Sequence, residues 1–331
     1  MKFIDLNDKQ HRSSDETDEQ MAMDILHGLN AHPKYISSKY FYDSRGSEIF
    51  ADIMNLDEYY LTDCEFEILN SHSDALADLM PDSLSVIEFG AGNGLKTKVL
   101  LDAFSNKIKN LEYVPIDISK AALESLEINL ADQLKDIRST AVIGDYFHAL
   151  SWVGKNRQDV KLILFLGSNI GNFTRERAIF FLRHIWGYSN HGDYLMIGFD
   201  LKKDIATLSA AYKDKSGVTT EFNLNLLDRF NRELGANFDR SKFEHHAVYN
   251  PIRGAMESYL ISTEKQSVSI ENIQKTFNFK AYEPIHLEYS YKYLLSDIEN
   301  LAKETGFEII QNNFDSKKYF VDSLWQIKKE I

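Results

Sequence analysis

Apolar positions set the first boundaries along this chain. From Leu84 to Phe199, short β-branched and aromatic runs alternate with stretches of helical spacing. Ser85–Phe89, Glu112–Ile116, Thr140–Ile143 and Tyr194–Phe199 read as strands, and Val160–Leu166 is almost continuously apolar. An unbroken apolar run of that kind suits a central parallel strand covered on both faces. Lys96–Phe104, Lys120–Leu134 and Thr174–Ile185 carry the spacing of helices. Strand and helix in alternation imply a parallel sheet with right-handed crossovers, hence an α/β fold.

The alternation stops at Asp200. Residues 204–235 look helical, while 243–263 and 275–290 alternate as strands do. Helix returns over Ser290–Thr305, and Gly306 supplies a stop because glycine accepts the left-handed conformation at helix ends. Phe307–Phe314 and Tyr319–Ile327 predict two strands about the turn Asp315-Ser316-Lys317, an antiparallel edge on a mostly parallel sheet. Ahead of the alternating region, residues 1–20 are polar and acidic and read as a loose arm. A helical pattern covers Asp18–Leu29, and the aromatic-rich stretch Tyr35–Tyr60 includes a helix at about Ser47–Asn55. The expected division is a sheet domain of residues 62–200 plus 291–331 and a second, α+β domain of residues 1–61 plus 201–290.

Composition narrows the partners. The 331 residues carry 50 acidic against 37 basic side chains, a formal net charge of −13. So acidic a chain repels phosphate backbones unless a basic stripe offsets it, and Lys202-Lys203 and Lys317-Lys318 are isolated pairs. No nucleic-acid partner is expected. Apolar content of 44% and charged content of 26% are those of a folded globular chain. The single cysteine, Cys64, excludes an internal disulfide and a cysteine-based metal cluster. The histidines show no HxxxH or HExxH spacing, so no metal is expected. The amino-terminal run lacks the apolar core of a signal peptide, and no stretch approaches the roughly 20 apolar residues that span a bilayer. The expectation is a cytoplasmic monomer without a membrane partner.

Candidate chemistry begins at Glu88-Phe89-Gly90-Ala91-Gly92-Asn93-Gly94, after a predicted strand and before a predicted helix. Glycines there let the backbone turn tightly and approach a ligand where a side chain would clash. Asp117 closes the next strand, where a carboxylate accepts hydrogen bonds from the ribose hydroxyls of an adenosine. The spacing Gly90-x-Gly92-x-Gly94 departs from the GxGxxG of dinucleotide sites, and Glu88 disfavours a pyrophosphate while suiting a sulfonium or an amino group. Asp145-Tyr146, beyond the third strand, offers an acid for adenine and an aromatic ring to stack on it. The glycines alone are also compatible with a plain turn; the ordered set points to S-adenosylmethionine.

Several further motifs follow one another in order. They are Phe41-Tyr42-Asp43-Ser44-Arg45-Gly46-Ser47, Glu58-Tyr59-Tyr60, Phe165-Leu166-Gly167-Ser168-Asn169-Ile170-Gly171-Asn172, Ala211-Tyr212, Glu221-Phe222-Asn223, Asn231-Arg232-Glu233-Leu234-Gly235-Ala236 and Glu288-Tyr289-Ser290. From about Tyr35 to Trp325 the chain thereby resembles the histidine-specific methyltransferases, which form hercynine, the trimethylated betaine of histidine, on the way to ergothioneine. The resemblance implies a Rossmann-like class I S-adenosylmethionine-dependent methyltransferase domain with a second, substrate-binding domain. It implies that Asn172 and Tyr212 hold the substrate carboxylate, that Tyr42 and Tyr59 surround the amino group, and that Glu288 and Ser290 recognise the imidazole. It also implies that Gly90, Lys96, Asp117, Asp145 and Tyr146 contact the cofactor, with Glu88 and Gly92 beside them in the loop.

The residues themselves are compatible with these roles. Asn172 follows a predicted strand at its carboxyl end, where open α/β sheets bind ligands; it also reads as a turn asparagine after Gly171. Glu288 and Ser290 share a face of an extended segment; without the resemblance Glu288 reads as a solvated acid. Methyl transfer is a direct displacement, so alignment and exclusion of water carry most of the catalysis. The amine must be neutral, and α-amino groups titrate near about 8. Tyr42 is the candidate to orient the lone pair or relay the proton, and Tyr42, Tyr59, Tyr60 and Phe222 are candidates to face the methylated cation. Leu287, Ser258, Asn169 and the stretch 279–286 depart from the family pattern near the side-chain pocket. They motivate an alternative acceptor, another amino acid or small amine. A catalytically silent adenosine-binding module is the alternative of another class.

Overall fold

In the computed structural model, which describes residues 1–6 and 14–329, the chain begins with β1 (Lys2–Asp5), α1 (Ser14–Asn30), β2 (Lys34–Tyr35), α2 (Ser44–Ile53) and α3 (Tyr60–Leu79). An alternating stretch follows: β3 (Ser83–Phe89), α4 (Leu95–Ser105), β4 (Asn110–Asp117), α5 (Lys120–Asn129) and β5 (Arg138–Ile143). It continues through α6 (Tyr146–Asn156), β6 (Val160–Phe165), α7 (Arg175–Tyr188) and β7 (Tyr194–Asp200). Two helices, α8 (Ile205–Tyr212) and α9 (Val218–Leu234), precede β8 (Phe243–Asn250), β9 (Ala255–Ser262), β10 (Gln266–Ile270), β11 (Lys275–Phe279) and β12 (Pro284–Tyr291). The described chain closes with α10 (Leu295–Thr305), β13 (Phe307–Phe314) and β14 (Phe320–Ile327).

These elements sort into two units. One takes the described residues among 1–10, 61–202 and 291–331, the other those among 11–60 and 203–290. The first unit is built on an eight-stranded sheet in the order β1-β5-β4-β3-β6-β7-β14-β13. Its first six strands run parallel, and β14 and β13 form the antiparallel edge. The apolar run at 160–165 lies centrally between β3 and β7, and its side chains are buried from Lys161 onward. Fully buried Phe89, Phe165, Phe181, Phe199 and Trp325 fill one core of this unit. Strand order reverses beside β3, so the loop after β3 opens at the switch point where such sheets bind ligands.

The second unit has its own core. Helix α9 buries Phe222, Leu226, Leu227 and Phe230 together with Phe41, Ile49 and Ile53 of the α2 region and Leu260, Ile285 and Leu287 of the strands. A four-stranded sheet, β2-β12-β9-β8, and the β10-β11 hairpin complete it. Asp43 caps α2 by accepting the Gly46 N–H at 2.7 Å, a contact of a kind that contributes about 1 kcal/mol. The same carboxylate accepts from Asn225 at 2.9 Å and from Arg232 at 2.6 Å, so it binds α2 to α9. Asn231 completes the helix end by pairing with both backbone groups of Phe238. Much of the specific look of the Phe41–Ser47 and Asn231–Ala236 motifs is therefore structural.

Four expectations need correction. Residues 2–5 are not part of a loose arm: Phe3 and Ile4 register against Ala141 and Val142, and β1 belongs to the first unit; of that arm, 7–13 lie outside the described residues. The long helix at 204–235 is two helices, because Gly217 takes a left-handed φ of 81° and Asp214 caps the second one. The last helix starts at Leu295 rather than Ser290, since β12 runs to Tyr291 and Tyr293 bridges to Leu201. Helix α3 carries apolar residues at Leu61, Cys64, Ile68, Leu69 and Leu76, a helical spacing that the expectation passed over.

Candidate active site

In the first unit the loop after β3 turns through three left-handed glycines, with φ of 67° at Gly90, 52° at Gly92 and 72° at Gly94. At Gly94 a second constraint applies: a Cβ would sit 2.9 Å from Leu126 and Leu130, so α4 and α5 pack too closely for any side chain. A Cβ at Gly92 would meet nothing within 4 Å, which leaves open space on the loop's outer side. Asp117 ends β4 and accepts the Gly92 N–H at 3.2 Å and the Ser119 N–H at 2.9 Å. Burial pushes its carboxyl up, and the amides pull against that shift. The carboxylate is thus fixed by backbone at the strand's carboxyl end.

Glu88 has a different place from the one expected. It is 4% exposed, and its two oxygens accept from the hydroxyls of Thr97 and Tyr113 inside the unit. Burial pushes its carboxyl up to about 7 despite those hydrogen bonds. Glu88 braces the loop from below; direct contact with a cofactor cation is not what this burial provides. Asp145 likewise serves locally: it caps α6 by accepting from Phe147 and His148 N–H at 2.9 and 3.1 Å, and its other oxygen pairs with the His148 ring. Tyr146 packs against Phe89 at 5.3 Å and Phe165 and Phe181 at 5.7 Å between ring centroids. Its hydroxyl lies 3.1 Å from where a Gly90 Cβ would be. Toward the Gly90 position Tyr146 presents this hydroxyl end.

Lys96, in the first turn of α4, pairs with Glu65 of α3. Glu65 is fully buried, and its second oxygen accepts the Gly167 N–H at 2.7 Å. It was not among the expected site residues, though a signal existed: an acid at 65 falls on the apolar stripe of Leu61, Ile68 and Leu69. Beyond β6 the chain turns through Asn169–Asn172. Asn169 bonds Leu166 O at 2.8 Å and flanks the Gly90 position. The Asn172 side chain has no hydrogen-bond partner among the described residues. The donor set of this unit fits S-adenosylmethionine: a fixed carboxylate for ribose, a lysine for a carboxylate, and open space over a glycine loop.

In the second unit, rings of Tyr42, Phe50, Tyr59 and Phe222 form one cluster. Centroids are 5.5 Å apart for Tyr42–Phe50, 5.7 Å for Tyr42–Phe222 and 6.2 Å for Phe50–Tyr59. Tyr60 stands apart from it, for the Lys203 ammonium lies 4.3 Å over its ring and donates to its hydroxyl at 2.8 Å. Phe50 was not expected and Tyr60 was; the cation on Tyr60 is the protein's own lysine.

Tyr212, the last residue of α8, meets Ser290 of β12 hydroxyl to hydroxyl at 2.6 Å. Strict alternation along β12 is interrupted: His286 and Tyr289, three apart, stack with centroids at 4.0 Å, and Tyr259 joins His286 at 5.3 Å. Ser290 is buried and Glu288 half-buried. Ser258, next to Tyr259, is buried, and Leu287 is 3% exposed within the unit's core. Within the second unit, then, Tyr42 and Tyr59 share one ring cluster and Tyr212 and Ser290 are in contact. Asn172 and the cofactor residues belong to the first unit.

Comparison with known proteins bears on this arrangement. Residues 21–327 match the model of a family described as histidine-specific methyltransferase, SAM-dependent. The histidine N-alpha-methyltransferase of Mycobacterium tuberculosis (strain CDC 1551 / Oshkosh) is 35% identical over 86% of this chain and 87% of its own. That of Mycolicibacterium smegmatis (strain ATCC 700084 / mc(2)155) is 34% identical over 89% and 91%. Ergothioneine biosynthesis protein 1 of Schizosaccharomyces pombe (strain 972 / ATCC 24843) is 31% identical over 83% of this chain and 36% of its own greater length.

Proposed function

Because this chain belongs to the SAM-dependent, histidine-specific methyltransferases, we propose that it methylates the α-amino nitrogen of free L-histidine to give the Nα,Nα,Nα-trimethyl betaine, hercynine. The observation that carries the choice of acceptor is the 2.6 Å contact of Tyr212 with Ser290. Tyr212 is assigned to the substrate carboxylate and Ser290, with Glu288, to the ring nitrogens. Groups that read opposite ends of the acceptor lie hydroxyl to hydroxyl, which supports a small amino acid with a polar ring.

S-adenosylmethionine, when bound, supplies an electrophilic methyl group on a sulfonium sulfur. Asp117 takes the ribose hydroxyls, Lys96 the cofactor carboxylate, and Gly90 and Gly92 let the backbone come close. Asp145 and Tyr146 are assigned to the adenine end, Tyr146 by its hydroxyl. On the acceptor side, the apolar rings around Tyr42 disfavour an ammonium and so favour the neutral, nucleophilic amine. The same rings stabilise the positive charge that develops on nitrogen in each transfer and becomes permanent with the third methyl group, the first two products losing a proton to regain a nucleophilic lone pair. The Tyr42 hydroxyl orients the amine and hands its proton to water; no strong base is required. Asn172 and Tyr212 are each assigned to the acceptor carboxylate, and Tyr59 to the amine, on the family resemblance. An acceptor ring with no N–H forgoes the charge-assisted hydrogen bond to Glu288, which discriminates against apolar side chains.

Both reactants are small metabolites, so the chain is proposed to act as a cytoplasmic monomer that needs neither nucleic acid nor membrane. Among the described residues no helix is long and apolar enough to cross a membrane. The test is mass spectrometry of purified protein with S-adenosylmethionine and each of the twenty amino acids. A trimethylated product from histidine alone is the expected result. Methylation of another amino acid instead would move the substrate and point to Ser258 and Leu287. Cofactor binding without turnover of any amino acid would sink the enzymatic reading for these acceptors.

A further inference from the structure

Glu65 is fully buried on α3, and none of the assigned roles uses it. One oxygen takes the Lys96 ammonium and the other accepts the Gly167 N–H at 2.7 Å. A single carboxylate thereby ties the first turn of α4 to the turn after β6. The sheet makes room for it at Gly198 of β7, where a Cβ would overlap Glu65 Oε1. Asp322 of β14 registers opposite Gly198 and is also fully buried. Burial, and the Glu65 charge next to it, push the Asp322 carboxyl well above the usual range. An ammonium has three donors, and the Lys96 side chain is 22% exposed; beyond the Glu65 contact it can still receive an outside anion. A free lysine loses much rotamer freedom on binding one, and an ion pair already formed removes part of that cost.

We propose that Glu65 is a positioning residue for the methyl donor: it fixes Lys96, in register with the Gly167–Asn172 turn, where the lysine meets the donor's carboxylate. This rests on the assignment of Lys96 as a cofactor contact, and the experiment separates the two.

Binding of S-adenosylhomocysteine is measured by calorimetry for wild type, Glu65→Gln, Lys96→Met, the double variant and Asp322→Asn, with thermal unfolding of each. Glu65→Gln is expected to weaken binding about tenfold, roughly one charge-assisted hydrogen bond, and to leave the KM for histidine unchanged. In the Lys96→Met background it adds nothing, because it acts through the lysine. Asp322→Asn, the neutral isostere, stays within about twofold, an effect well below one hydrogen bond. Unchanged affinity in Glu65→Gln while Lys96→Met is weakened overturns the proposal. An equal loss with and without Lys96 also overturns it, showing a purely structural role. If Lys96→Met binds normally, the cofactor assignment of Lys96 falls and takes the proposal with it. Should Glu65→Gln not fold, Glu65→Asp keeps the charge and shortens the arm; unchanged affinity there is equally fatal.

Discussion

The proposed donor half and the proposed acceptor half of this enzyme, its two units, are built by different means. In the first unit, Gly90, Gly92, Asp117 and Asp145 all fall at or just beyond the carboxyl ends of parallel strands, and their positions follow from the sheet. Backbone does most of the work: three left-handed glycines, amides on Asp117, a helix start at Leu95. In the second unit, Tyr42, Tyr59, Tyr212 and Ser290 come from segments far apart in the chain and are placed by ring packing and one hydroxyl contact. A site made of backbone resists change of ligand, because its geometry is that of the fold. A site made of side chains on a packed core can change its ligand one residue at a time. Substrate choice is therefore expected to drift in the second unit, and cofactor choice to stay fixed in the first.

The largest effect that tests this contrast is Asp117→Ala. The proposed role gives Asp117 two charge-assisted hydrogen bonds to ribose, so S-adenosylhomocysteine affinity is expected to fall at least about a hundredfold. Histidine recognition should survive when turnover is measured at saturating cofactor. An equal loss in both would show that the halves are not separable. Next comes Glu88→Gln, which probes the loop's foundation. Its carboxyl is ordinary when unfolded, near 4.5, and raised to about 7 when folded. The folded state therefore prefers the proton: its stabilisation is complete below about 4.5 and is lost as pH rises through about 7, an amount of about 3 kcal/mol. Chemical denaturation at pH 5 and pH 8 measures it. Wild type should lose stability relative to Glu88→Gln over that interval; a pH-independent difference would mean that Glu88 is ionised in the fold throughout.

The same contrast governs what could be read from the residues alone. The strand runs from 84 to 199, the glycine loop and Asp117 were legible because a parallel sheet repeats one pattern and puts its ligand at one end of it. The short N-terminal strand was not, since four residues of mixed polarity, Lys2–Asp5, become a strand only by pairing with β5. Glu88 was placed in the right loop but facing the wrong way, because spacing does not say that Thr97 and Tyr113 take its two oxygens. Glu65 and Phe50 needed packing between elements to be seen. In the second unit no local pattern connects Tyr212 with Ser290; the resemblance assigned them to different ends of the acceptor, and only the fold brings the two hydroxyls into contact.

Glu288 is where the acceptor half is expected to discriminate. Glu288→Gln keeps the shape and removes the charge that an imidazole N–H would meet. A drop of about thirtyfold in kcat/KM for histidine is expected, in line with loss of one charged hydrogen bond, with S-adenosylhomocysteine affinity unaltered. Turnover of an uncharged aromatic amino acid should fall far less. If both acceptors lose equally, Glu288 supports the fold of β12 and does not read the ring.

The smallest effect is the most specific to the contact that carries the functional reading. Tyr212→Phe removes one hydroxyl and with it the 2.6 Å contact to the buried Ser290. About a fivefold rise in the KM for histidine is expected, the cost of one neutral hydrogen bond, with kcat nearly constant. Ser290→Ala alone should cost a similar amount. The informative quantity is the double variant. If the two hydroxyls grip opposite ends of one small acceptor and orient each other, the double variant loses less than the sum, with a coupling of roughly 1 kcal/mol. Strict additivity would mean that carboxylate and ring are read independently, and the contact would then be packing between α8 and β12 rather than a measure of the acceptor's size.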